Sequence, residues 1–164
     1  MSTPSFLKIN ISSLPPEGLI REGEVLPDEI GLPDDARFGF PDPVKVYLKI
    51  YPVRNGILCQ GKADTRVACT CDRCLRSYRH AIRAADVVHF YEHPEEDVLD
   101  LTPDVREDIL LALPQRTVCA EACRGLCPQC GQNLNTATCD CETGPRKPSV
   151  WDALDGLELD NDAN

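Results

Sequence analysis

The sequence predicts an α+β fold that is mainly an antiparallel β-meander, with one or two short helices and a C-terminal cysteine-rich segment. Two observations carry this prediction. Apolar and polar residues alternate with a period of two in the middle of the chain, which is typical of half-buried strands. Eight of the ten cysteines fall into four close pairs, as in segments that fold around a metal ion. The C-terminal part is therefore predicted to be a zinc-knuckle segment.

Three regions follow from these patterns. Residues 1–43 are predicted to form an extended, proline-rich segment that wraps the rest of the domain. Residues 44–114 are predicted to form the antiparallel β core and a helix. Residues 115–164 are predicted to form a cysteine-rich, zinc-binding segment with a C-terminal helix. At 164 residues the chain is long enough for one domain with a small appendage.

In the first region, residues 5–11 can form a short strand, and a second short strand is expected near residues 18–25. Six prolines between residues 12 and 43 remove any helical period. Proline fixes φ and lacks a backbone donor, so the rest of this region is predicted to be irregular.

The β core begins with a strand over residues 44–51, in which every second residue is apolar. The Asn55-Gly56 pair predicts a type I′ turn, because both central residues of that turn need positive φ. A return strand over 57–69 and a third strand over 77–91 complete the meander. The first cysteine pair then lies at one end of a hairpin.

A helix is predicted to start at Thr102-Pro103, with threonine as N-cap and proline as the first helical residue. Pro114 is expected to end it. A second short helix is predicted over residues 149–159, with Trp151 on its apolar side. We expect that tryptophan to dock on its own domain, with an interface anchor as the alternative.

The four cysteine pairs predict two zinc ions per chain, each held by four thiolates. Their spacings are CxxC, CxxxC, CxxC and CxC, which allow one turn of backbone to grip a tetrahedral metal. The eight predicted ligands are Cys71, Cys74, Cys119, Cys123, Cys127, Cys130, Cys139 and Cys141. Cys59 and Cys69 are left as free thiols.

The grouping of the pairs follows from their separation along the chain. The CxxC pair at Cys127 and the CxC pair at Cys139 lie one hairpin apart, so they are expected to share a closed, structural site. The pairs at Cys71 and Cys119 would then meet across the fold and tie the meander to the C-terminal segment. Other combinations of the C-terminal cysteines remain open.

Disulfides and a redox motif are the alternatives to metal. The start of the chain has no apolar signal-peptide core, and cysteines so close in sequence would form strained disulfides. A thioredoxin-like motif at Cys71–Cys74 would need a βαβ setting, whereas its flanks are predicted to be strands. Cytoplasmic localisation and metal binding are therefore expected.

No catalytic motif is evident, so the chain is not expected to be an enzyme. No phosphate-binding glycine loop, nucleophile elbow or zinc-protease motif occurs. No small-molecule substrate is expected. No stretch approaches the eighteen apolar residues of a membrane span, so no membrane contact is expected either.

Charge is distributed unevenly along the chain. The net charge is −10, but the segment from Lys45 to Arg83 has nine Lys and Arg residues against two Asp. Part of this segment predicts an RNA-binding face, because basic groups contact phosphates and aromatic rings stack on bases. The candidate residues are Lys45, Tyr47, Lys49, Tyr51, Lys62, Arg66, Arg73, Arg76 and Arg79. The alternative is an ordinary solvated sheet face that the acidic flanks neutralise.

Three stretches of the sequence together resemble the YceD-type family, named for large ribosomal RNA subunit accumulation. They are CDRCLRSY at residues 71–78, the run from EDILLALP to CAEACRGLCPQCGQNLNTATCDC at 107–141, and PSVWDALDGL at 148–157. The resemblance implies a cytoplasmic bacterial or organellar protein needed for normal levels of large-subunit ribosomal RNA. The family brings no established catalytic residues.

These observations predict a non-enzymatic zinc-binding factor in large ribosomal subunit biogenesis that contacts ribosomal RNA or pre-ribosomal particles. Two alternatives stay open. The first is an acidic adaptor or escort for a basic ribosomal protein. The second is a thiol or zinc sensor that uses Cys59 and Cys69.

Overall fold

A computed structural model gives the structure of the protein and describes residues 7–33, 37–92, 94, 96–141 and 152. Within these ranges the chain forms two antiparallel sheets and one α-helix. The mainly antiparallel β architecture that the sequence predicts is therefore confirmed.

The main sheet is built on a three-stranded meander. Strands β4 (Val44–Val53), β5 (Gly56–Thr70) and β6 (Ser77–Glu92) follow one another with antiparallel pairing. Strand β2 (Leu19–Val25) pairs with the free edge of β4, and the short β3 (Phe38–Gly39) pairs with β5 beyond the end of β4. The proline-rich N-terminal region thus contributes two strands to the sheet.

The second sheet joins distant parts of the chain. Strand β1 (Lys8–Asn10) pairs with β7 (Val98–Asp100) in antiparallel register. The sequence predicts β1 but not β7, which ends an acidic stretch over residues 92–100 that shows no alternation of apolar and polar residues. Short 3-10 helices follow at Ile11–Ser13 and Pro27–Ile30.

The turn between β4 and β5 lies one residue earlier than predicted. Val53 pairs with Gly56, so the loop residues are Arg54 and Asn55. Neither has positive φ, so the turn is not type I′ and that prediction is wrong. Gly56 is needed for a different reason, since a Cβ there would lie 2.0 Å from the carbonyl oxygen of Tyr91.

Helix α1 spans Thr102–Leu111 and starts differently from the prediction. Thr102 is its first residue and makes no N-cap hydrogen bond; instead the N–H of Thr102 donates to the carboxylate of Asp100 at 2.9 Å. The helix ends before Pro114, as expected. Val105 and Ile109 are buried against the sheet.

The hydrophobic core lies between the inner face of the sheet and α1. Alternate residues of β4 and β5 point into it, as the period of two predicts. Its larger buried members are Leu7, Ile9, Val25, Val44, Val46, Leu48, Ile50, Ile57, Val87, Leu101, Val105 and Ile109. The sheet therefore has one buried face and one face left to solvent.

A polar layer also joins α1 to β6. His89 Nε2 lies 2.7 Å from Asp108 Oδ2, and the hydroxyl of Tyr91 donates to Asp104. Cys59 lies beneath them and is 1% exposed. Burial, followed by the charges of Asp104 and Asp108, raises the pKa of Cys59 to about 12.

The predicted C-terminal helix over 149–159, including Trp151, lies outside the described residues apart from Asp152. Among the helices that are described, none has the length and apolar character needed to cross a membrane.

Candidate metal centres and the outer face of the sheet

Four cysteines from two distant parts of the chain meet in a first cluster, called site 1 here. Cys71 and Cys74 lie in the connection between β5 and β6, and Cys119 and Cys123 follow α1. The Sγ atoms of Cys71 and Cys123 are 3.9 Å apart, and those of Cys74 and Cys119 are 3.6 Å apart. Four sulfurs around a tetrahedral zinc at the usual bond length are about 3.8 Å apart. The spacing therefore fits zinc.

A second cluster, site 2, is local in sequence. Its members are Cys127, Cys130, Cys139 and Cys141, and their Sγ atoms all lie within 4.8 Å of one another, as they do in site 1. None of the ten cysteines forms a disulfide. The structure thus has two groups of four thiols that could each hold a metal ion.

The CxxC turns of the two sites have the same backbone hydrogen bonds. In site 1 the N–H of Leu75 donates to Cys71 O at 3.0 Å, and in site 2 the N–H of Gly131 donates to Cys127 O at 2.9 Å. The N–H of each first cysteine also donates to the carbonyl five residues later, at 2.9 Å and 2.8 Å. The chain therefore builds the same knuckle twice.

The residue after each knuckle has a left-handed backbone conformation. Gly131 has φ of 74° and Leu75 has φ of 57°. A left-handed leucine costs roughly 1–2 kcal/mol, and Leu75 is the one non-glycine residue with positive φ among those described. Leu75 adopts this strained conformation in the first knuckle although its side chain is 64% exposed and so gains little from packing.

Site 1 is built to hold thiolates. The N–H groups of Arg73 and Cys119 both donate to Cys71 Sγ at 3.4 Å. Burial acts to raise the pKa of Cys71, but backbone hydrogen bonds from Cys119 and Cys74 outweigh it and bring the pKa to about 6. The side-chain amide of Asn135 donates to Cys123 Sγ at 3.5 Å.

The thiols of site 2 differ in the direction of their pKa shifts. Backbone hydrogen bonds from Cys130 and Gln129 lower the pKa of Cys127 to about 6. A hydrogen bond to Cys130, together with burial, raises the pKa of Cys141 to about 12. Four thiols so close together cannot all ionise without a cation, because their negative charges repel one another. A bound divalent cation would offset that repulsion.

Several contacts besides the cysteines hold site 1 to the sheet. Thr117 donates its hydroxyl to Thr70 O at 2.6 Å and its N–H to the Asp72 carboxylate at 2.7 Å. The guanidinium of Arg73 donates to Cys123 O at 2.9 Å. Site 1 therefore fixes the C-terminal segment to the end of the β5–β6 hairpin, whereas site 2 folds that segment on itself.

The solvent face of the main sheet, called the outer face here, contains most of the predicted RNA-binding residues. The pairing registers place side chains of four strands on it. They include Ile20, Glu22, Glu24, Lys45, Tyr47, Lys49, Tyr51, Val53, Leu58, Gln60, Lys62, Asp64, Arg66, Arg79, Ala81, Arg83, Val88, Phe90 and Glu92.

Ion pairs divide the basic residues of the outer face into two sets. Lys45 pairs with Glu24 at 3.7 Å, Arg79 with Asp42 at 3.0 Å, and Arg83 with Asp64 at 2.7 Å. The other set has no acidic partner within salt-bridge distance among the described residues. Its members are Lys49, Lys62 and Arg66.

The two remaining candidates, Arg73 and Arg76, lie at the knuckle of site 1 and not on the outer face. The hydrogen bond from Arg73 to Cys123 gives Arg73 a structural contact. Arg76 is exposed and accepts the N–H of Cys71 through its carbonyl oxygen. The predicted basic cluster is therefore split between the sheet and the knuckle.

Sequence reasoning missed the apolar part of the outer face. Phe90 and Val88 of β6 are more than half exposed, and so is Ile20 of β2. Apolar residues follow one another at Val87-Val88 and Phe90-Tyr91, which signals a strand with apolar groups on both faces. The pairing of the strands is what places Phe90 in one row with Leu58 and Tyr51 on the outer face.

Cys59 and Cys69 do not have the features of a sensor. They are 1% and 4% exposed and lie in the core clusters. A reactive thiol needs access and a lowered pKa, and Cys59 has neither.

The fold and the two cysteine sites together define a class of protein. It is a mainly antiparallel β domain with two four-cysteine centres, one of which anchors a C-terminal segment to the sheet. The family model described as "Large ribosomal RNA subunit accumulation protein YceD" matches residues 59–158. The chain belongs to this family, and the predicted resemblance is confirmed.

Individual relatives are similar over part of their length. An Arabidopsis thaliana protein named large ribosomal RNA subunit accumulation protein YCED homolog 1, chloroplastic, is 38% identical over 56 residues, which are 34% of this chain and 17% of that protein. An uncharacterized protein of Mycobacterium tuberculosis is 33% identical over 103 residues, 53% of this chain and 49% of that protein. The matches thus span about half or less of these relatives. No solved structure matches the chain.

Proposed function

We propose that this protein is a non-enzymatic, zinc-stabilised factor of large ribosomal subunit biogenesis that contacts ribosomal RNA through the outer face. Family membership supports the role in accumulation of large-subunit ribosomal RNA. The observation that carries the RNA contact is the set of Lys49, Lys62 and Arg66. Among the described residues these cations have no acidic partner, and they lie on a solvent-facing sheet that also presents aromatic rings. The cations of such a surface can neutralise RNA phosphates, and its aromatic rings can stack on RNA bases.

In this proposal the two metal centres have structural roles. Each site provides four thiolates and no open coordination position, which is the arrangement of structural zinc. When bound, zinc would supply the folding free energy that the C-terminal segment lacks in apolar residues. The cytoplasm is the expected compartment, since its reducing conditions keep such thiols free of disulfides.

The test of this proposal is affinity purification of the tagged full chain, with and without ribonuclease. We expect large-subunit ribosomal RNA to be enriched and ribosomal proteins to be lost after ribonuclease treatment. Retention of a basic ribosomal protein after ribonuclease, with no RNA bound directly, would reject RNA contact and support the adaptor alternative.

Two matched triple variants sharpen the same test. Lys49→Gln with Lys62→Gln and Arg66→Gln removes the three cations of the outer face that lack an acidic partner among the described residues. It should reduce the steepness of the fall of log affinity with log salt by about 2. Lys45→Gln with Arg79→Gln and Arg83→Gln removes the same charge from ion-paired positions, and should leave the slope near that of the unaltered protein. Equal effects of the two triples on RNA binding would contradict the assignment of the contact residues.

A further inference from the structure

One row of side chains crosses the outer face near the β4–β5 turn and is largely apolar. Tyr51 pairs with Leu58, and Leu58 pairs with Phe90. All three side chains point to solvent from adjacent strands. Tyr51 and Phe90 are therefore about 10 Å apart, two strand spacings. The two rings are far enough apart to meet different groups of one ligand.

The outer face has exposed apolar side chains in this row and next to it. Phe90 is 53% exposed and Val88 is 55% exposed. The hydroxyl of Tyr51 donates to Gln60 Oε1 at 2.5 Å, which holds that ring in place over the sheet. An exposed phenylalanine in the same row as a fixed tyrosine offers two separate rings on which planar ligands can stack.

The charged residues of the outer face determine where the anionic groups of a ligand can lie. The next row along the strands contains Lys49, and Lys62 follows on β5, both without acidic partners among the described residues. Glu22 and Glu24 border the face on the β2 side. Glu92, two residues beyond Phe90 on the same face of β6, adds a negative charge at that edge. An anion is therefore favoured over β4 and β5 and repelled at β2 and at the end of β6.

We propose that the outer face binds unpaired nucleotides, with Phe90 and Tyr51 stacking on bases and Lys49 and Lys62 contacting phosphates. This inference rests on the proposed function and specifies the kind of RNA. A flat sheet face cannot reach bases inside a duplex, whereas the bases of a single strand are free to stack on aromatic rings. The neighbouring cations distinguish this surface from a plain apolar patch.

The test measures binding of the full chain, with its metal, to a labelled single-stranded RNA of about 12 nucleotides and to the same strand annealed to its complement. We expect the single strand to bind more tightly than the duplex. Phe90→Ala should weaken single-strand binding about fivefold to a hundredfold, the usual range for loss of one stacked base. Phe90→Tyr should restore most of the affinity.

Phe90→Leu separates stacking from general apolar contact, because it keeps apolar area and removes the ring. It should behave like Phe90→Ala. Leu111→Ala, which removes an apolar side chain that is 76% exposed on α1, is the matched control and should leave binding unchanged. Circular dichroism and zinc content should be the same in all four variants.

Two results would overturn the inference. One is duplex binding as tight as single-strand binding. The other is full RNA affinity in Phe90→Leu, which would show that the ring of Phe90 does not stack on a base. If large-subunit RNA still co-purifies with the Phe90→Ala variant while single strands bind no better than duplexes, the inference fails and the proposed function stands.

Discussion

Replacing Cys71 by serine is expected to remove one of two zinc ions and to destabilise the fold by about 4 kcal/mol. Site 1 joins parts of the chain that lie far apart, since Cys74 and Cys119 are separated by 45 residues. A cross-link over a loop of that length removes much conformational entropy from the unfolded chain. Its loss should also release Cys119 and Cys123 from the end of the β5–β6 hairpin.

Native mass spectrometry and denaturant unfolding at fixed free zinc test this expectation. Cys69→Ala is the control, because Cys69 is a buried neighbour that is not a ligand. It should keep both zinc ions and lose about 1 kcal/mol. Two zinc ions in the Cys71→Ser protein, or a loss of stability no larger than that of the control, would contradict the role of site 1.

Replacing Cys127 by serine is expected to have a smaller and more local effect, about 2.5 kcal/mol. Site 2 closes a loop of about nine residues between Cys130 and Cys139, so it removes less conformational entropy from the unfolded chain than site 1 does. The main sheet should stay folded, because its core does not include site 2. The C-terminal segment should lose its second knuckle.

Hydrogen exchange resolved by region distinguishes the two cysteine variants. Cys127→Ser should raise exchange over residues 124–141 and leave β4 to β6 protected. Cys71→Ser should also raise exchange at Thr117 and at the ends of β5 and β6, where site 1 is anchored. Global exchange in Cys127→Ser, or identical patterns in the two variants, would mean that the sites do not have separate structural roles.

Local signals were sufficient for much of the fold. The alternation from Val44 to Tyr51 predicted β4 and also which side chains face the core. Cysteine spacing predicted two clusters because a CxxC turn brings its two sulfurs together whatever surrounds it. The preferred grouping, with the pair at Cys71 meeting the pair at Cys119, has the geometry seen in site 1.

Features set by long-range register could not be predicted. The position of the turn at Arg54-Asn55 depends on the pairing of β5 with β6, in which Gly56 lies close to the carbonyl oxygen of Tyr91. The ion pair of Lys45 with Glu24 exists because β2 pairs with β4, and nothing in the local sequence of either strand specifies it. The same is true of Phe90, whose cross-strand neighbour on the outer face, Leu58, comes from β5.

Ultraviolet cross-linking in cells, followed by mass spectrometry of the protein and sequencing of the RNA, tests the central claim most directly. The structure leads us to expect cross-links at Tyr47, Tyr51 or Phe90 and to large-subunit ribosomal RNA, mainly in unpaired regions. Cross-links confined to the cysteine-rich segment at 115–141, or recovery of protein partners with no cross-linked RNA, would contradict the account.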